Sequence, residues 1–311
     1  MAQRLSDLSW FALASESVNT FLPLFLPLAS ALIYVVGALL VKRSNEFGVG
    51  IWRTAFVSNL VSALLFMLLL PLGGTTNLDR WWEPVVVSGL FILGQVFNFL
   101  SLQRGDVSVA TPVLGLKIIL VALFSTLLLG HSVPFVLWVA AALSSSAIAL
   151  LNLTGGRANH HHVALTILFA GLSATMFALF DVLVQKWSPA WGAGRFLPVM
   201  MLAAALLSFG IVPMFPKPLT ATPRGAWPWL LAGCVLIGMQ SLLFVTTIAN
   251  FGNATGANVI FSSRGLWSVV VVWLVGHWFG NRERYLGASI FRTRLIGAAL
   301  MMAAIVLAIL R

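Results

Sequence analysis

Apolar runs of about the length of a membrane crossing follow one another along the whole chain, separated by short polar stretches. A helix needs about 20 apolar residues to cross the hydrocarbon of a bilayer. On that rule the pattern predicts ten spans, over residues 22–41, 50–71, 84–103, 107–129, 134–153, 163–185, 194–214, 228–249, 255–279 and 290–310. Ahead of them, Arg4, Asp7 and Glu16 alternate with Leu5, Leu8, Trp10, Phe11 and Leu13. That reads as a short amphipathic helix on the membrane surface, with an unstructured tail as the alternative. The most polar internal stretch is TGGRANHHH, 154–162, which reads as a linker between two halves. Its three histidines have no acidic or cysteine partner nearby, so a solvated loop is expected there rather than a metal site. The expected organisation is therefore a surface segment (1–21), a first five-helix unit (22–153), the linker (154–162) and a second five-helix unit (163–311).

Composition agrees with the pattern. The chain has 311 residues, 60% of them hydrophobic and only 8% charged, where a soluble domain carries about 25% charged residues. The fold class expected is an all-α polytopic membrane protein. A net charge of +10 would suggest nucleic acid in a soluble protein; here it fits basic loops beside anionic headgroups, and no nucleic-acid partner is expected. The single cysteine, Cys234, allows neither an internal disulfide nor a zinc cluster. No cofactor is expected, and there is no P-loop for direct use of ATP.

The two halves repeat each other. LASALIYVVGALLVKRS (28–44) aligns with LSATMFALFDVLVQKWS (172–188), sharing leucine, lysine and serine at one offset. GVGIWR (48–53) resembles WGAGR (191–195), and each places an arginine, Arg53 or Arg195, at the start of the following span. RGDVSVATPVLGLK (104–117) sits against FGNATGANVIFSSR (251–264), ending on a cation in both cases, and both runs later reach Gly-His, at 130–131 and 276–277. Five spans is an odd number, so the second unit must enter the membrane in the opposite sense. Ten helices as a 5+5 inverted-topology repeat are typical of secondary transporters, with the substrate near the midplane between the repeats.

The ten-span 5+5 plan, the arginines opening spans two and seven, the SVATPV start of span four and the glycine-containing last span (RLIGAALMMAAIVLAI, 294–309) resemble the drug/metabolite transporter superfamily, in its EamA-like branch. The resemblance covers nearly the whole chain. The family often has Gly-Glu at the ends of spans four and nine, where this sequence has Gly-His, so no proton-coupling role is carried over from that glutamate. The resemblance implies a transporter of small metabolites; the excess of arginine over lysine, fourteen against four, points to a bacterial inner (plasma) membrane, and a monomer or homodimer is expected.

Of eighteen lysines and arginines, only Lys117 and Arg264 fall well inside predicted spans. Facing lipid at the bilayer centre, each would cost about 2.5–3.5 kcal/mol on the insertion scale. They are therefore expected to face an interior cavity, one from each half. Asp181, in span six, is the one acid predicted inside a span. Either it neutralises one of the cations, or a substrate carboxylate or phosphate sits between a lysine point charge and an arginine fork. The second option is strengthened by the resemblance, because plastid phosphate translocators and nucleotide-sugar transporters use cations on spans four and nine to hold phosphate groups. Gln95 and Asn98 share a face of span three. With Gln240, Thr111, Ser262, Ser263, Tyr34 and Trp267 they are candidates for the same cavity, interhelical hydrogen bonding being the plainer role for any one of them. Trp81, Trp82, Trp187, Trp191, Trp227 and Trp229 read as interface anchors. Pro23, Pro27 and Pro112 are expected to bend or break their helices.

Connections 1–2, 3–4, 5–6, 7–8 and 9–10 carry eleven basic residues, and the remaining connections and termini carry five. The positive-inside rule then puts both termini outside, whereas the resemblance implies both in the cytoplasm. The function expected is a secondary active transporter that moves a small anionic or zwitterionic metabolite by alternating access. Lys117 and Arg264 would bind its negative group, and Asp181 would act as counter-ion or take a substrate amine. An EamA-like exporter of amino acids or other largely neutral solutes is the alternative. An intramembrane enzyme is disfavoured, since His131 and His277, the only plausible bases, lie at span ends without an acidic partner.

Overall fold

The computed structural model describes residues 2–104, 107–130, 132–152, 163–275 and 288–310, and these contain helices and turns but no strand. The helices in chain order are α1 (Ala2–Glu46), α2 (Ile51–Phe66), α3 (Trp82–Arg104), α4 (Val107–Gly115), α5 (Lys117–Leu129) and α6 (Phe135–Asn152), then α7 (Val163–Trp191), α8 (Ala193–Leu207), α9 (Trp227–Phe251), α10 (Ala254–Phe261), α11 (Arg264–Val275) and α12 (Ala288–Ile309). Seven helical stretches among the described residues are long and apolar enough to cross a bilayer. Two shorter apolar helices, Phe135–Leu150 and Ile296–Ile309, and the interrupted pair α10–α11 bring the spans to the ten expected. The linker 154–162, His131 and His277 lie outside the described residues.

One expected break is absent. Residues 2–46 form a single helix that runs through Pro23 and Pro27, so neither a separate surface helix nor a proline break divides it. In a membrane the carbonyls freed by proline find other partners, and the helix persists.

Matching elements recur in both halves. Gly50 (φ 78°) and Gly192 (φ 77°) precede α2 and α8, and an arginine follows three residues after each. Only glycine adopts this left-handed conformation without strain, so the chain reverses at the same point of each half. Both helices end in a 3-10 turn, Met67–Leu72 and Ser208–Met214, that contains a proline. Packing repeats as well. α1 lies on α9 as α7 lies on α3; α2 lies on α9 as α8 lies on α3; α4 touches α6 and α7 as α10 touches α12 and α1. Exchanging spans one to five with spans six to ten leaves this set of contacts unchanged.

The start of α8 rests on the turn after span two. Thr75 N donates to the Trp191 carbonyl at 2.8 Å, and a Cβ on Gly194 would stand 2.5 Å from the Gly73 carbonyl oxygen. Backbone cannot yield as a side chain can. Gly194→Ala should therefore lower thermal stability by about 1–3 kcal/mol, read from unfolding in detergent; unchanged stability would contradict this contact.

Two further expectations are corrected here. Trp191 is not an exposed interface anchor: it is 2% exposed, and its Nε1 donates to Glu83 Oε2 at 2.9 Å. Glu83 is likewise 2% exposed within α3, so Asp181 is not the only acid inside a span. A tryptophan that finds an internal acceptor gains more by burial than by staying in the headgroups. Trp81, Trp82 and Trp229 remain exposed near span ends.

Candidate functional site

Spans four and nine are both interrupted just before their cation. In span four, Leu116 interrupts the helix and its N–H turns back to the Val113 carbonyl at 3.1 Å, after which Lys117 opens α5. The buried Ser145 hydroxyl donates to the Gly115 carbonyl at 2.9 Å, satisfying an acceptor beside the interruption. In span nine, Ser262 and Ser263 form the turn, the Ser263 N–H bonds the Ile260 carbonyl at 3.1 Å, and Arg264 opens α11. Each cation thus stands at the positive end of its half-helix, which raises the positive potential around it.

Both cations face one cavity of about 690 Å³. Tyr34, Asn59, Gln95 and Asn98 of the first half line it, and so do Asp181, Gln240, Phe244 and Asn258 of the second. It takes in Ser58 midway along α2 and reaches Leu102 near the end of α3. With ten spans both termini share one face, so the cavity extends toward the opposite face.

The charges are not used symmetrically. Lys117 Nζ lies 2.7 Å from Asp181 Oδ2, and Asn258 Nδ2 donates to the same oxygen at 2.7 Å. Asp181 is 1% exposed, and its other oxygen, Oδ1, is buried without a hydrogen-bond partner among the described residues. Arg264 has no carboxylate within 4.0 Å among the described residues. Its guanidinium lies instead against two aromatic faces, 4.9 Å from the Tyr34 ring centre and 4.5 Å from that of Phe261. Of the two cations, one is neutralised inside the protein and the other is held by π-faces, its charge uncancelled among the described residues.

The other candidates divide by helix phase. Gln95 is engaged in a reciprocal amide pair with Asn59, at 3.0 and 2.9 Å. Gln240 accepts from Ser30 Oγ through its main-chain oxygen at 2.8 Å and its Oε1 at 3.2 Å. Asn98 lines the cavity with its Oδ1 unbonded among the described residues, and Thr111 and Ser262 line it too. Ser263 and Trp267 lie off the cavity. Phe261, Ser262, Arg264, Gly265 and Ser268 make the lining stripe, whereas Trp267 points away from it and packs against the main hydrophobic core. Asn59 and Asn258 were not singled out from sequence, although an amide inside an apolar span was the available signal.

Residues 21–153 match the EamA-like transporter family. That stretch, the first five spans, is what the chain shares with the family. The family is one of transporters, and together with the membrane-length apolar helices the match indicates an integral membrane protein. Most of the fold has a solved counterpart: a protein crystal structure 14% identical in sequence superposes with a TM-score of 0.69, covering 92% of this chain and 96% of its own. No curated protein sequence matches the chain.

Proposed function

We propose that the protein is a secondary transporter that moves a small anionic or zwitterionic metabolite by alternating access, with its site in the cavity between the two halves. One observation carries the reading: Arg264 sits in that cavity with its charge uncancelled by any carboxylate among the described residues. Lys117, Arg264 and Asp181 leave the cavity a net single positive charge. A single carboxylate balances that charge, where a phosphate dianion would exceed it. Arg264 receives the carboxylate through its fork. Asp181 Oδ1 is placed to accept from a substrate ammonium, Asn98, Gln95 and Gln240 orient polar groups, and Tyr34 walls the site. The membrane in question is a bacterial inner membrane.

The second reading, export of amino acids or other largely neutral solutes, is favoured by the Lys117–Asp181 pair, which cancels one charge of each sign. The two readings meet at zwitterions. Uptake of labelled monocarboxylates and amino acids into preloaded proteoliposomes tests both. Saturable uptake accelerated by unlabelled solute inside supports a carrier. Uptake no faster than into protein-free liposomes, across the whole panel, contradicts it.

A further inference from the structure

A second cavity, of about 490 Å³, lies at the termini-bearing end of the molecule, lined by the end of α9, the start of α10 and parts of α5, α7 and α12. The two cavities meet nearly end to end. On α7, Asp181 lines the first and Gln185 the second; on α10, Asn258 lines the first and Thr255 the second. One helical turn, about 5.4 Å, separates them. The wall between is apolar and closed: Val121, Val184 and Ile248 are 0% exposed and Ala257 is 3% exposed, all in one core cluster.

Two rungs hold that wall together by tying α7 to α10. One is Asn258 Nδ2 donating to Asp181 Oδ2 at 2.7 Å. In the other, the side-chain amide of Gln185 grips the turn into α10: its Oε1 accepts from Ala254 N at 2.9 Å, and its Nε2 donates to the Gly252 carbonyl. Gly252 takes φ 63°, which lets the chain reverse beneath the amide. In the repeat, Asp181 and Gln185 fall on Gly37 and Val41 of α1. Neither has a side chain that can hydrogen-bond, so the first half cannot build the same rungs. The end that lacks them is the end toward which the main cavity extends.

We infer that the α7–α10 rungs are the closed gate toward the termini-bearing face, that Gln185 is its latch, and that the second cavity is the vestibule through which the solute reaches the site from that face. The inference rests on the carrier reading, yet its test needs no solute, so failure of one is separable from failure of the other. In a Cys234→Ala background reconstituted in nanodiscs, Val121→Cys reports on the wall and Ser58→Cys on the open cavity. Labelling with a water-soluble maleimide is compared with and without Gln185→Leu, and again with Gln185→Ala in case leucine packs poorly. The latch predicts several-fold faster labelling at Val121→Cys and slower labelling at Ser58→Cys. Unchanged labelling at Val121→Cys overturns it. Faster labelling at both sites overturns it as well, because that is general loosening and not a change of side.

Discussion

Replacing Asp181 with alanine is expected to destabilise the folded protein by about 3–5 kcal/mol, the usual cost of removing one partner of a buried ion pair. Asp181 is almost fully buried, and the Lys117 side chain is 20% exposed, so the orphaned ammonium keeps only limited access to water. Asn258 loses one of its two acceptors in the same step and keeps the Ala254 carbonyl. The cost lies in the charge left behind rather than in the worth of the pair. Removing both charges, as Lys117→Met with Asp181→Leu, should therefore recover most of the loss. Thermal unfolding of the two single variants and the double variant checks this. A double variant as unstable as the singles would contradict the account.

The second large effect belongs to Arg264. Truncating one partner of a desolvated, hydrogen-bonded charge pair at a binding site costs about 2–5 kcal/mol, or from tens to thousands of fold in affinity. Arg264→Ala should lose solute binding on that scale while changing stability less than Asp181→Ala does, because Arg264 neutralises no protein carboxylate among the described residues. Arg264→Lys should restore only part of the binding. An ammonium keeps the charge but not the planar fork, and it stacks less well between Tyr34 and Phe261. Titration of each variant with the solute that binds the wild type measures both effects.

Much of this architecture could be read from the sequence because hydropathy reports length along the chain. Ten runs of sufficient length give ten spans, and the Gly-to-Arg spacing at 50–53 and 192–195 marks the same reversal in both halves. The cost of a charge in lipid was enough to send Lys117 and Arg264 inward. Rotational phase and long-range pairing were harder to read. Whether Asp181 meets Lys117 or Arg264 depends on how α5, α7 and α11 pack, across separations of 64 and 83 residues from the acid, and no local signal carries that choice. Ser263 and Trp267 missed the cavity for the same reason: one position of error on a helix is a rotation of about 100°. Trp191 and Glu83 looked like boundary residues because each is polar and near a span end, yet together they satisfy each other inside the protein. The continuity of α1 was hidden by two prolines that would break a helix in water more readily than in a packed bundle.

The asymmetry of the two cations is the central claim, and ligand-induced stabilisation tests it most directly. Wild-type protein and Arg264→Ala would be melted in detergent with monocarboxylates, zwitterionic amino acids, organic phosphates and neutral analogues. A ligand at a hundred times its dissociation constant stabilises by about 2.7 kcal/mol, a readable shift in melting temperature. The account predicts that a carboxylate-bearing solute raises the melting temperature of the wild type and leaves that of Arg264→Ala unchanged. Equal stabilisation of both proteins by that solute, or by neutral analogues alone, would show that Arg264 is structural and that the cavity does not read a negative charge.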